Sequence, residues 1–254
     1  MSRWWPEPLR IFLSPASTVL MRERGKATPR QVLHLPGIIG ADDLAPLAAA
    51  LNTAEWRTTR AEILLSHRYL RFALSEPPGR LLSAAEERVL AEAELHRVYG
   101  AAAQGLRVRV ASQPPDAGVF GAAMEEAFVR GLEALMEEGG VKHYHLLPWL
   151  EVAARHRAIT HGWWVLAEAG WVCLLLIQHG VWRQVSAHPC NADWAAELPA
   201  WLERAERLLD APAPRQVRVQ AVDGGVPEPL LLPAGWTGTA VADAWIPSPA
   251  EQVS

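Results

Sequence analysis

The division of the chain into apolar runs separated by short turns is clearest over residues 163–186, WWVLAEAGWVCLLLIQHGVWRQVS. Residues 163–166 and 172–177 are short runs rich in branched and aromatic side chains, which predict two strands. Glu168-Ala169-Gly170 separates them, and His179-Gly180 turns the chain into a third strand over 181–185. A second three-strand hairpin is predicted near the start. It comprises a strand over 9–13, a turn at Ser14-Pro15-Ala16, a strand over 17–22 and another over 31–35.

Between and after these hairpins the periodicity changes. Asp42 and Asp43 are placed to cap a short helix over 44–51, followed by strands over 61–65 and 69–74. Ser83-Ala84-Ala85-Glu86 has the form of a capping box, and Leu82, Val89, Ala93 and His96 then recur near helical spacing up to Gly100. A strand is predicted over 106–110. Met124, Phe128, Leu132 and Leu135 form a stripe on a helix that Gly139-Gly140 stops. A strand over 141–146 leads to a short helix opened by Pro148 and running to 155. After the second hairpin, Asn191 is placed to cap a helix carrying Trp194, Leu198, Trp201, Leu202, Ala205, Leu208 and Leu209. Pro199 either kinks that helix or marks its start. A strand over 215–221 precedes Gly224-Gly225, and the last thirty residues read as irregular. This order predicts an α/β chain of two similar halves, with two mixed sheets flanked by helices and a ligand cleft between the halves.

Composition narrows the function classes. Half of the 254 residues are hydrophobic and a fifth are charged, as in ordinary globular proteins. The net charge of -4, with arginines scattered singly, argues against a nucleic-acid partner. The start, MSRWWPEPLR, lacks the apolar core of a secretory signal, so the protein is expected to stay inside the cell. The apolar run over 172–177 is far shorter than the ~18 residues needed to span a bilayer, so no direct membrane span is expected. Cys173 in a strand and Cys190 in a loop are expected to be two free thiols. The 12 tryptophans include Trp4, Trp5, Trp149, Trp236 and Trp245 near element ends or in loops. Such residues serve either an interface or a core poor in Phe and Tyr, and the core is the commoner use.

Candidate chemistry is sparse. His143-Tyr144-His145 sets two imidazoles on one strand face, with His156 and His161 close behind, but no Cys or carboxylate completes a spaced metal set. No G-x-S-x-G, Walker A or G-x-G-x-x-G sequence occurs. Glu86, Glu87, Glu92 and Glu94 are expected to form a solvated helix face.

Taken in order, AEILLSHRYLRFALSEPP (61–78), SAAEERVLAEAELHRVYG (83–100), AAMEEAFVRGLEALMEEGGVKHYHLLPWLEVAARHR (122–157) and the hairpin over 163–186 resemble a known family. They are similar to the PilM-type assembly proteins of type IV pili and the cytoplasmic domain of GspL in type II secretion. The likeness runs from residue 9 to residue 220. It implies an actin-like (duplicated RNase H-like) α/β fold with a reduced second small subdomain. Residues 1–158 would be the first half with an inserted small subdomain, 159–226 a shortened second half, and 227–254 an irregular tail.

Members of this fold that bind ATP resemble actin in having an Asp/Gly-rich first phosphate loop, a second near Asp-x-Gly, and a Gly-Gly adenosine loop. Aligned by order, the first turn here holds Ser14, Pro15, Ala16 and Ser17, the second Glu168, Ala169 and Gly170, and the third Gly224-Gly225. Ser14, Ser17, Glu168, Gly170, Gly224 and Gly225 are thus the vestigial cofactor-binding positions if a nucleotide is bound. Pro15 has no N–H to donate, and one carboxylate is a thin site for Mg²⁺.

The resemblance therefore implies a non-catalytic cytoplasmic scaffold of a pilus-like or secretion-like machine, held peripherally at the inner membrane. Its partner would be an inner-membrane assembly protein whose short cytosolic N-terminal segment docks in a groove or at a strand edge of the first half. No cofactor, catalytic residue or metal ligand is expected under this reading. The alternative is a divergent actin-like or sugar-kinase-like ATPase using ATP and Mg²⁺, with Glu168 toward the metal and Gly224-Gly225 toward adenine. A homo-oligomer built on exposed tryptophans is a third option.

Overall fold

The structure is a computed structural model that describes residues 8–22, 31–111, 113–114, 117–157, 159–222 and 225–241, with the backbone alone described for 154–157. Trp4, Trp5, Trp245 and Gly224, and the side chain of His156, fall outside the described residues.

Thirteen strands and five α-helices are formed by the described residues. The strands are β1 (Leu9–Leu13), β2 (Ser17–Arg22), β3 (Gln31–Pro36), β4 (Arg60–Leu65), β5 (Leu70–Leu74), β6 (Leu106–Ala111), β7 (Phe120–Glu125), β8 (His143–Pro148), β9 (Gly162–Glu168), β10 (Trp171–Gln178), β11 (Val181–Pro189), β12 (Gln216–Ala221) and β13 (Thr237–Val241). The helices are α1 (Ala45–Leu51), α2 (Ala84–Tyr99), α3 (Glu126–Glu138), α4 (Trp149–Arg157) and α5 (Trp194–Arg207).

Two five-stranded sheets share one design. The first is ordered β3-β2-β1-β4-β8 and the second β11-β10-β9-β12-β13. In each, three strands run antiparallel in sequence, and two further strands then join parallel to the first. A third sheet, β5-β7-β6, is inserted between β4 and β8. The chain divides into two compact units. The first comprises residues 1–70, 105–107 and 124–153, and the second 71–104, 108–123 and 154–254.

In the first unit, β1 and β4 pair in parallel register from Leu9↔Ala61 to Leu13↔Leu65. Leu9, Ile11, Leu13 and Ile63 are buried on one face and Phe12 and Leu64 on the other, which is why both strands read as nearly continuous apolar runs. Phe12 meets the edge of Trp149 at the start of α4, with ring centroids 6.2 Å apart, and His67 lies against the same indole. Arg107 joins Glu126 and Glu133 of α3. Its hydrogen bonds, followed by those of Arg130, draw the Glu126 carboxyl down to about 2.

In the second unit every residue of β9 is buried. Trp163, Val165 and Ala167 face a core closed by Trp194, Leu198, Leu202 and Ala205 of α5 and by Trp236. Pro199 sits inside α5, which begins at Trp194, so it does not mark the helix start. The inserted sheet is braced by Tyr99, whose hydroxyl donates to Phe72 O and accepts from Phe72 N–H at 2.9 and 3.2 Å. Phe120 of that sheet meets the edge of Trp182 at 4.6 Å, and the Trp182 N–H donates to Gln113 Oε1 at 2.8 Å.

Several local expectations are corrected. The stripe Leu82, Val89, Ala93 and His96 does not face the interior. Ala91 and Leu95 do, and Val89 is 65% exposed. The capping box at Ser83 and Glu86 forms as expected, with the Glu86 carboxylate also accepting from Ser83 N–H at 2.8 Å. Asp42 and Asp43 do not occupy the cap position. Leu44 caps α1 without a side-chain bond, and the two aspartates lie in the 3-10 turn Ala41–Leu44 before it, which Gly40 caps and where Asp43 reaches back to accept from the Ile39 and Gly40 N–H groups. Asn191 is not the cap of α5, since Asp193 stands at that position and makes no side-chain cap bond. Met124 belongs to β7 rather than to α3. Thr237–Val241, within the stretch expected to be irregular, pairs in parallel with β12. Trp149 and Trp236 are buried, so both serve the core.

The register of α2 gives a direct test. Leu95→Ala is expected to lower stability by about 2–5 kcal/mol in urea unfolding. Val89→Ala should change it by no more than about 0.5 kcal/mol. The reverse ranking would place the buried face of the helix elsewhere.

Candidate functional site

Each five-stranded sheet opens with a hairpin whose turn the resemblance aligns with a phosphate loop, where successive backbone N–H groups would converge on one oxygen.

The first turn links β1 to β2. Ser14 is 3% exposed, and its Oγ accepts from Ala16 N–H at 3.2 Å and Ser17 N–H at 3.0 Å. The same hydroxyl donates to Ser17 O at 3.0 Å, while Ser14 N–H also donates to Ser17 O, at 3.1 Å. Pro15 has no N–H. The donors of this turn therefore converge on a serine hydroxyl held within the turn itself. The backbone after β3 closes over it. Ile38 N–H donates to Ser14 O at 3.0 Å, and a Cβ on Gly37 would lie 2.0 Å from Pro15 O. Ser14 and Ser17 are thus brought together, as parts of one self-satisfied turn.

The second turn links β9 to β10. The sequence pattern places Glu168 inside it, but Glu168 is the last residue of β9, paired with Trp171, and the turn is Ala169-Gly170 alone. Gly170 has a φ of 81°, a backbone region that favours glycine, and its carbonyl accepts from Cys190 N–H at 3.0 Å. Strand alternation sets Glu168 on the same sheet face as Trp164 and Leu166. By register Cys173 and Gln220 share that face. Glu168 is 6% exposed and Gln220 3%. Among the described residues Gln220 Oε1 has no hydrogen-bond partner.

Burial, and secondarily the Glu168 carboxylate, push the Cys173 thiol well above its ordinary range, which makes it a poor nucleophile. Cys190 is also raised, again chiefly by burial, and both cysteines are free.

Gly225, the described member of the third candidate turn, is exposed with a φ of 78°. Ser14 and Ser17 lie in the first unit and Glu168, Gly170 and Gly225 in the second. His143 and His145 are exposed on β8. Among the described residues no three His, Cys, Asp or Glu side chains gather as a metal set. Gln220 escaped the sequence reading because it occupies the polar phase of QVRVQA, where Gln216 and Arg218 look outward, and only the burial of that face reveals it.

No protein-family profile matches the sequence, and no curated protein matches it. Solved structures do. A chain of the PilM–PilN type IV pilus biogenesis complex aligns with a TM-score of 0.60 at 13% identity, covering 85% of this chain and 81% of that one. The cytoplasmic domain of EpsL, an inner membrane component of the type II secretion system of Vibrio cholerae, aligns with a TM-score of 0.58 at 15% identity, covering 92% and 89%. A protein from Bacteroides thetaiotaomicron with an actin-like ATPase fold and unknown function aligns with a TM-score of 0.59 at 9% identity, covering 87% and 83%. At such identities the likeness establishes the fold: this chain is actin-like α/β, with two mixed sheets flanked by helices.

Ser14→Ala would leave the N–H groups of Ala16 and Ser17 without their acceptor. The expected loss is about 1–3 kcal/mol in denaturant unfolding. A neutral result would show that the Ser14 hydroxyl does not hold the turn.

Proposed function

We propose that this chain is a non-catalytic scaffold of a type IV pilus-like or type II secretion-like machine. It works on the cytoplasmic side, peripheral to the inner membrane, and docks the short cytosolic N-terminal segment of an inner-membrane assembly protein. The observation that carries the reading is the first turn, where Ser14 Oγ takes the N–H groups that a phosphate oxygen would need. The likeness to PilM and to the EpsL cytoplasmic domain supports the choice of machine.

Docking needs neither a cofactor nor a proton relay. An extended segment gains main-chain hydrogen bonds at a sheet edge, and alternate side chains find apolar pockets. We assign this capture to the first half, over 1–158, as distinct from the shortened second half over 159–226. No helix among the described residues is long and apolar enough to cross a membrane. On this reading the membrane-spanning partner provides the anchorage.

The test is co-purification with a candidate inner-membrane partner encoded beside this chain. Deleting the partner's cytosolic N-terminal segment is expected to abolish co-purification, and unchanged recovery would overturn the reading.

A second reading has its own observation, the buried Glu168 at the end of β9. On that reading the chain is a divergent actin-like or sugar-kinase-like ATPase. Calorimetry with ATP and Mg²⁺ separates the two. The scaffold reading expects no binding tighter than about millimolar, a Kd worth about 4 kcal/mol. Tighter binding that is lost in Glu168→Gln would favour the enzyme.

A further inference from the structure

The chain enters β9 through Thr160-His161, and the β10–β11 turn, His179-Gly180, lies beside that entry. The two segments are tied by the Gly180 N–H, which donates to Thr160 O at 2.8 Å. His179 and Gly180 both have positive φ, 55° and 79°, the backbone of a tight two-residue hairpin turn. That geometry fixes where the His179 Cβ points, and the backbone tie fixes His161 next to it. Both histidines are exposed, and their ring centroids are 5.4 Å apart with a 51° angle between the planes. Among the described residues neither ring takes part in a hydrogen bond or an ion pair.

This separation has a chemical meaning. A late first-row metal ion sits about 2.0–2.1 Å from an imidazole nitrogen, hence about 3.2 Å from the ring centre. Two imidazoles sharing one ion at a tetrahedral angle then have centres about 5 Å apart. We propose that His161 and His179 form an exposed two-imidazole site for a late first-row divalent ion, Zn²⁺ or Cu²⁺. Imidazole is the side chain that suits both ions. No third His, Cys, Asp or Glu completes the set among the described residues, so the remaining coordination positions are open to water or to a ligand on another molecule.

The site is independent of the docking reading. It needs neither the inner-membrane partner nor the turn positions of a nucleotide.

The experiment uses the full chain without a histidine tag. Zn²⁺ is titrated by calorimetry, and Cu²⁺ by electron paramagnetic resonance, in which nitrogen ligands leave a hyperfine signature. The variants are His161→Ala, His179→Asn, which keeps a residue tolerant of positive φ, and the double change His143→Ala with His145→Ala as the control pair on β8. One equivalent of metal is expected to bind wild type with two nitrogen ligands. Affinity should fall roughly tenfold or more in each single variant and stay unchanged in the β8 control. Binding that survives both single variants, that is lost only in the β8 control, or that is absent from wild type for both ions overturns the proposal. Circular dichroism of each variant confirms that a lost signal reflects lost ligands rather than lost fold.

Discussion

The structure depends on one arrangement used twice: a first strand buried on both faces, with an antiparallel neighbour on one side and a parallel neighbour on the other. β1 and β9 occupy this position in their sheets. Charge is correspondingly rare there: β9 carries only its terminal Glu168, and β1 only the half-buried Arg10, which pairs with Glu62 of β4. The parallel neighbour must arrive through a crossover connection, whereas the antiparallel one needs only a tight turn. The hairpin turns at the starts of the two halves and the long connections to β4 and β12 follow from that single placement. In each sheet the antiparallel arm is therefore continuous in sequence, and the parallel arm is where helices and insertions enter.

The two halves differ most on the parallel side. Between β4 and β8 the chain inserts a three-stranded sheet, α2 and α3 before returning. Between β12 and β13 there is no α-helix among the described residues, only a stretch containing Pro227, Pro229 and Pro233. Prolines so spaced prevent a helical crossover, because each removes an N–H and clashes with the preceding turn. Val226, Leu230, Leu232 and Trp236 do the burial instead, packing on the core that α5 also covers. Trp163 and Trp236 approach with ring centroids 6.0 Å apart, so a single large side chain substitutes for part of a helix face. The second sheet thus keeps its five-strand order without a helical crossover to β13.

The hairpins were legible because their signals are local. Branched apolar runs, a Ser-Pro-Ala or His-Gly turn and the alternation between them locate β1, β2, β9, β10 and β11 without tertiary information. What escaped depends on partners. In α2 the sequence offers apolar residues on more than one face, and which face is buried is decided by the close approach of Gly121 to Ala91, a contact between distant segments. β13 is Thr-Gly-Thr-Ala-Val, with no strong apolar run, and it is a strand because β12 offers it an unpaired edge. The position of Glu168 was missed by one step because hairpin length, not composition, decides whether a residue ends a strand or enters a turn. The pairing of His161 with His179 was equally invisible, since it joins the entry to β9 with a turn two strands later.

The first turn is held by a side chain of its own, the Ser14 hydroxyl that accepts from the Ala16 and Ser17 N–H groups. A turn whose N–H groups point inward without an acceptor carries a buried, unsatisfied cluster, and leaving such donors unmet is costly. A bound phosphate is one solution, and it stabilises the turn only while the ligand is present. A hydroxyl at Ser14 is a permanent solution, because the acceptor is covalently part of the turn. The two solutions compete for the same donors and the same space, so a turn that has adopted the second no longer needs the first in order to fold. The sheet order, which rests on the burial of β1 and β9, is indifferent to the exchange. Selection on such a chain can then act on surfaces and edges, with the hairpins left as fixed framework.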